Sequence, residues 1–189
     1  MGLLNQQGTG SVASGRKPFL AGKECPILKV CVYPGTFDPF TVGHLDILKR
    51  AGAIFDHVIA GILINANKKP VFSVEERMHF IESAAKSAAI TNFSVESFDG
   101  LLVDFCRQKG AGVIVRGLRA VSDYEYELQL AAMNHRLAPD VETVFLMTDA
   151  RYSYLSSSIV REIGSYGGSI TGMIPPEYEK YIAERLLKK

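Results

Sequence analysis

Thr36, within Tyr33-Pro34-Gly35-Thr36-Phe37-Asp38-Pro39, and His44, closing Phe40-Thr41-Val42-Gly43-His44, are the residues of this chain best suited to chemistry. A hydroxyl on a glycine-bearing turn and an imidazole N–H at the opening of a helix can both donate to a phosphate oxygen. The free backbone N–H groups of a helix start add a positive dipole end. Together they would bind a phosphate and stabilise charge that develops on it. A lone histidine at a helix start is more commonly a cap or a surface residue. The neighbouring Gly35-Thr36 turn and Asp38 favour the phosphate reading here. Asp38 is read as orienting the turn through a local Asx hydrogen bond, with no part in proton transfer.

The elements around this turn must position it. Residues 27–32 read as a short apolar strand, and residues 44–55 as a helix with Leu45, Leu48, Gly52 and Phe55 on one face. The turn then lies beyond the carboxyl end of a strand, where open α/β sheets bind ligands. Further strand-like runs cover residues 58–64, 93–97, 113–115 and 141–147, with amphipathic stretches between them. Ser73 with Glu76 and Ser122 with Glu125 have the spacing of capping boxes. Gly110 closes one helix and Pro139 follows another. Strands alternating with helices imply crossover connections. The expected fold is α/β: a doubly wound, five-stranded parallel sheet, Rossmann-like, with helices on both faces. A C-terminal helical tail follows: a serine-rich turn, a helix to about Ser165, a Gly167-Gly168 break and a helix opened by Pro176. It is expected against the sheet's edge or a neighbouring subunit. Residues 1–26, rich in Gly, Ser, Gln and Asn, read as a flexible leader or extension, and residues 27–189 as a single domain.

Composition narrows the function classes. The 189 residues are 47% hydrophobic and 22% charged, enough apolar material for one ordinary core. A net charge of +1 provides no global basic field for nucleic acid, so phosphate recognition must be local. No apolar run approaches the roughly 18 residues of a membrane span, and no signal-peptide pattern opens the chain, so a cytoplasmic location is expected. Cys25, Cys31 and Cys106 share no short spacing and read as reduced bystanders rather than a disulfide or zinc set.

Four later blocks fall beyond strand ends: Lys68-Lys69-Pro70, Arg116-Gly117-Leu118-Arg119, Asp123-Tyr124-Glu125-Tyr126-Glu127, and Tyr152-Ser153-Tyr154-Leu155-Ser156-Ser157-Ser158 with Arg161. Each has a bland reading. Lys68 can be a solvated loop lysine, and Arg116 and Arg119 can be paired structurally with Asp123 or Glu127. Glu127 can complement the helix dipole, Leu102 can be a core residue of a short helix, and Ser156 or Ser157 can be an N-cap. Forked arginine donors and hydroxyls at a helix start also suit triphosphate oxygens.

Gly-Thr-Phe-Asp-Pro followed by Thr-x-Gly-His resembles the first signature of the nucleotidyltransferase superfamily, related to the class I aminoacyl-tRNA synthetases. With the later blocks, the chain from residue 27 to about Leu187 resembles the phosphopantetheine adenylyltransferase family. The resemblance implies transfer of AMP from ATP to 4'-phosphopantetheine, a step of coenzyme A biosynthesis, by in-line attack on the α-phosphate. It implies His44 as the catalytic residue, and Thr36, Lys68, Leu102 and Arg116 on the acceptor substrate. The ATP side would comprise Thr36, Phe37, His44, Gly117, Leu118, Arg119, Glu127, Tyr152, Ser153, Tyr154, Leu155, Ser156, Ser157 and Ser158. Many relatives carry Trp or Phe where this chain has Tyr152, which keeps an aromatic wall. Mg2+ would arrive with ATP and no dedicated metal site is expected. The resemblance further implies a homohexamer and feedback binding of coenzyme A. Two alternatives stay open: a related enzyme using nicotinamide mononucleotide, a flavin or glycerol phosphate, or a module that binds ATP without chemistry.

Overall fold

The short apolar runs become strands because each can be buried on both faces once the intervening amphipathic segments cross over the sheet. The computed structural model describes residues 30–64 and 69–187. It contains β1 (Val30–Gly35), α1 (Val42–Ile54), β2 (His57–Leu63), α2 (Val74–Ser87), β3 (Phe93–Phe98), α3 (Leu102–Gln108), β4 (Val113–Leu118), α4 (Val121–Leu137) and β5 (Glu142–Met147). The tail adds α5 (Ser157–Ser165) and α6 (Glu179–Leu187), the latter entered through a 3-10 turn at Pro176–Tyr178. The strands are parallel in the order β3-β2-β1-β4-β5, as expected for a doubly wound sheet. The leader, residues 27–29 of the expected first strand, Cys25 and Lys68 lie outside the described residues. Among the described residues, no helix is long and apolar enough to cross a membrane.

Alternation along the strands feeds two cores. Cys31, Tyr33, Val58, Ala60, Ile62, Val113 and Val115 face α1 and α2, where they meet Leu48, Ala51, Phe80, Ile81 and Ala84. Val32, Ile59 and Ile114 face the other way, onto Val103, Phe105 and Cys106 of α3. Cys31 and Cys106 are buried free thiols whose pKa values burial pushes up to about 12, so both stay protonated and unreactive.

Several boundaries differ from the sequence reading. β1 continues through Tyr33-Pro34-Gly35, which pattern alone assigns to the turn. Proline is tolerated there because β1 pairs with β4 only at Cys31 and Val32, so no β4 partner is lost at Pro34. Similarly, β4 runs on to Leu118, so Arg116 is part of the strand. The Ser73–Glu76 capping box forms, whereas α4 starts one residue before Ser122, on an Ala120 N-cap with no side-chain hydrogen bond. Gly110, with φ 62, terminates α3 as expected.

The tail also docks differently: it joins the α1–α2 core instead of the sheet's edge. Ile170, Ile174, Tyr178, Ile182 and Leu186 belong to that core, Tyr178 stacks on Phe80 with ring centroids 4.6 Å apart, and the Val42 N–H donates to the Met173 carbonyl. Ile182→Ala should therefore destabilise the protein by about 2–5 kcal/mol through lost burial and a residual cavity. Urea unfolding reads this directly, and a change below about 0.5 kcal/mol would detach the tail from the core.

Candidate active site

The cleft begins where β1 and β4 part. Their register ends at the pairs Cys31–Val113 and Val32–Ile114, and the two carboxyl ends then diverge at the point where the chain's crossovers reverse. A cleft of about 530 Å³ opens there. Parting frees the Pro34 carbonyl, and Arg116 Nη1 donates to it at 3.1 Å. The same guanidinium makes a fork with Glu127, Nε to Oε2 at 2.7 Å and Nη2 to Oε1 at 2.5 Å. Burial works against the Arg116 charge, but the hydrogen bonds and field of Glu127 more than offset it, leaving the pKa raised.

Arg119 makes a second fork, with Asp123 at 2.9 and 3.2 Å, and donates to the Leu155 carbonyl at 3.0 Å. Both structural pairings open to the sequence reading are thus present, and both arginines still line the cleft. Arg119 also binds the strand end to the segment leading into α5. There Ser156 is the N-cap, accepting from the Ile159 N–H at 3.1 Å, and Ser157 donates to the Pro39 carbonyl at 2.8 Å. Ser156, Ser157 and Ser158 line the cleft at this helix start, together with Tyr152 and Leu155.

On the opposite wall, Phe37 takes a positive φ of 49 and folds its ring into the core, 1% exposed. A Cβ on Gly35 would stand 2.7 Å from that ring, so the turn requires glycine. Anything Phe37 offers a ligand comes from its backbone, while Thr36 is exposed on the cleft wall.

The histidine is more firmly held than its sequence position implies. α1 begins at Val42, which makes His44 the third residue of a capping box with Thr41 as N-cap. The Thr41 N–H donates to His44 Nδ1 at 3.0 Å, and Thr41 Oγ1 accepts from the His44 N–H at 3.3 Å. Nδ1 is an acceptor, so the neutral ring carries its proton on Nε2, the nitrogen left available to the cleft. Phe37 packs edge-on to the ring at 5.2 Å and Phe40 packs at 5.5 Å. Burial, then the fields of Arg119 and Arg116, pull the pKa from 6.5 down to about 3. His44 is a neutral hydrogen-bond donor.

Most of the expected site converges on this cleft: Thr36, Phe37, His44, Leu102, Arg116, Gly117, Arg119, Glu127, Tyr152, Leu155, Ser156, Ser157 and Ser158 all line it. Leu118 is buried at the end of β4, Ser153 turns its hydroxyl to the Ala150 carbonyl, and Tyr154 is exposed; their side chains do not form its walls. Lys68 is outside the described residues. Asp38 does not make the local Asx bond expected of it but accepts from backbone N–H groups beyond β2. Arg77 is not among the residues that pattern marks, and Thr41 is marked only as the first residue of Thr-x-Gly-His, with no role of its own. The Thr41-x-x-His44 spacing was the available signal for the role of Thr41, being a capping box with histidine in the usual place of glutamate.

The family model described as cytidylyltransferase-like matches residues 32–163. A phosphopantetheine adenylyltransferase of Moorella thermoacetica is 54% identical over 84% of this chain and 98% of its own length. One of Thermodesulfovibrio yellowstonii is 55% identical over 85% and 99%. The chain belongs to the phosphopantetheine adenylyltransferase family. Outside it, the solved nicotinic acid mononucleotide adenylyltransferase of Plasmodium falciparum shares the fold at a TM-score of 0.63 and 14% identity, over 82% of this chain and 94% of that one.

The buried, neutral state of His44 carries a pH consequence. The folded state keeps His44 neutral down to about 3, whereas an unfolded chain protonates it below about 6.5. The associated stability is present above pH 6.5 and is lost as pH falls from there toward 3. His44→Gln lacks this titration, so its stability relative to the natural chain should rise between pH 7 and pH 4 in paired unfolding curves. A pH-independent difference would contradict the neutral, desolvated ring.

Proposed function

We propose that the protein transfers AMP from ATP to 4'-phosphopantetheine, releasing dephospho-coenzyme A and pyrophosphate, as a step of coenzyme A biosynthesis. The observation that carries this reading is the near full-length likeness to phosphopantetheine adenylyltransferases at 54% and 55% identity. The cleft is chemically suited to it. A phosphate monoester is largely dianionic at neutral pH, its second pKa being about 6, and is a nucleophile without a general base. The carboxylates near the cleft are already engaged: Glu127 with Arg116, Asp123 with Arg119, and Asp38 with backbone amides.

Catalysis on this reading is in-line positioning with electrostatic stabilisation of the α-phosphate. His44 Nε2–H and the Thr36 turn donate to the α-phosphate oxygens as charge builds. Lys68 and Arg116 hold the acceptor's phosphate, and Leu102 lies along its pantetheine arm. Gly117, Arg119, Glu127, Tyr152, Leu155, Ser156, Ser157 and Ser158 hold ATP, with Phe37, Leu118, Ser153 and Tyr154 contributing through their backbone. The polar groups of the walls are chiefly hydroxyls and the two arginines, with Glu127 as the carboxylate among them, and among the described residues no three His, Cys, Asp or Glu side chains form a metal cage. That donor set is compatible with Mg2+ arriving with ATP, which would supply charge neutralisation while Arg116, Arg119 and the hydroxyls bind the phosphates.

Two further features of the family reading follow as proposals. Coenzyme A, sharing the pantetheine arm, would compete for the acceptor side as a feedback ligand. A homo-oligomer, hexameric by family, would cover α4, which leaves Tyr124, Tyr126, Leu128, Met133 and Leu137 exposed.

Pyrophosphate release measured with 4'-phosphopantetheine, nicotinamide mononucleotide, flavin mononucleotide and glycerol phosphate tests the assignment. Release is expected with the first alone; release with a mononucleotide alone overturns it, and ATP binding without release from any acceptor indicates a non-catalytic module. His44→Ala should lower kcat about a hundredfold to a thousandfold, or roughly 3–4 kcal/mol, while the chain stays folded.

A further inference from the structure

Asp38 is the carboxylate at this site for which the reaction has no use, and it is almost fully buried, 6% exposed. Its partners lie far along the chain. Oδ1 accepts from the Val71 N–H at 3.2 Å and from the Phe72 N–H at 3.0 Å, and Oδ2 accepts from the Val71 N–H at 3.0 Å. Arg161 of α5 stands 3.5 Å from Oδ2 and donates through the same Nη1 to the Asp38 carbonyl. Arg77 runs alongside, 3% exposed, donating to the Thr36 carbonyl at 2.8 Å and the Ser73 carbonyl at 3.2 Å. The charged groups facing one another are therefore one carboxylate and two guanidinium ions. Between the segments they join lies a cavity of about 700 Å³, lined by Thr36, Lys69, Ser157, Ser158 and Arg161 among others.

We propose that Asp38 is a positioning residue that fixes the segment from Lys69 to Phe72 against the phosphate turn after β1, and so sets the affinity for the acceptor's phosphate. This rests on the reading of the Lys68-Lys69-Pro70 run as the acceptor clamp. The physical argument concerns connectivity. Segments that follow different strands of a sheet share no backbone ladder, so their separation is set by whatever bridges them. Here the bridge is a buried carboxylate taking two consecutive amides. An isosteric amide cannot reproduce it: Asn presents one oxygen acceptor, and its NH2 would face a backbone N–H or a guanidinium. Loss of the carboxylate would also remove the counter-charge that acts most strongly on the buried Arg77. The slack would appear mainly on the β2 side of the site, because Arg119 independently holds the ATP-side segment through the Leu155 carbonyl.

Two measurements test this. In steady-state kinetics of Asp38→Asn, KM for 4'-phosphopantetheine should rise about tenfold or more while KM for ATP stays within about threefold. A purely structural role would lower the folded fraction and leave both KM values unchanged, and that result overturns the proposal, as does an equal rise in both. In the natural chain, hydrogen exchange should show the Val71 and Phe72 amides protected about a hundredfold or more despite lying outside regular structure. Exchange at unprotected rates overturns the proposal even if Asp38→Asn fails to fold. A natural chain inactive with 4'-phosphopantetheine would instead sink the assigned reaction, and amide protection would still show whether Asp38 bridges the two segments.

Discussion

The separation of β1 from β4 is the constraint from which the site follows. A parallel sheet whose crossovers reverse direction has two central strands with helices leaving on opposite faces, so nothing covers the crevice between their carboxyl ends. Here the ladder stops after Val32 and Ile114, and the backbone groups released beyond it need partners other than a strand. Proline at position 34 removes one orphan donor, and Arg116 takes the remaining acceptor. The residue that repairs the sheet is thereby placed, charged, on the floor of the cleft. Glu127 then serves the fold and the site together, since its hydrogen bonds and field offset the cost of burying the Arg116 charge.

A similar economy governs the histidine. In an ordinary capping box the third helical residue is acidic and accepts from the N-cap amide. Imidazole in that place uses Nδ1 as the acceptor, so the cap specifies the tautomer and directs the only ring proton to Nε2. Phe37 and Phe40 remove the remaining rotational freedom. A donor held this way needs no reorganisation when charge develops on a phosphate, which is the condition under which such donors contribute most to rate.

How much of this could be read in advance depended on how far each interaction reached along the chain. Strand and helix alternation, the Ser73 cap and the Gly110 stop are encoded within a few residues, and they appear where pattern places them. The likeness of spaced motifs brought residues as distant as Thr36, Arg116 and Ser157 to one cleft. What stayed illegible was pairing. Whether Arg116 and Arg119 are free or forked depends on where a helix start lies over a strand end, and the side chains suit both outcomes equally. Asp38 was misread because a local Asx bond is the common fate of an aspartate in a turn, and the amides of Val71 and Phe72 are adjacent only in the folded chain. The tail was misplaced because its apolar residues fit a sheet edge or a helical layer alike.

The charge arrangement also bears on how polyanions are accepted. Free arginines in a cleft of this size would repel one another, favour any anion, and rearrange when one bound. Forked to Glu127 and Asp123, the two guanidinium groups carry compensated charge in fixed orientations on the cleft wall. A triphosphate entering such a site gains hydrogen bonds more than net Coulomb attraction, and the gain depends on fit. The near-neutral net charge of the whole chain agrees with this: attraction over distance is weak, and recognition is concentrated in donors whose geometry the sheet, two helix starts and a pair of forks have already set.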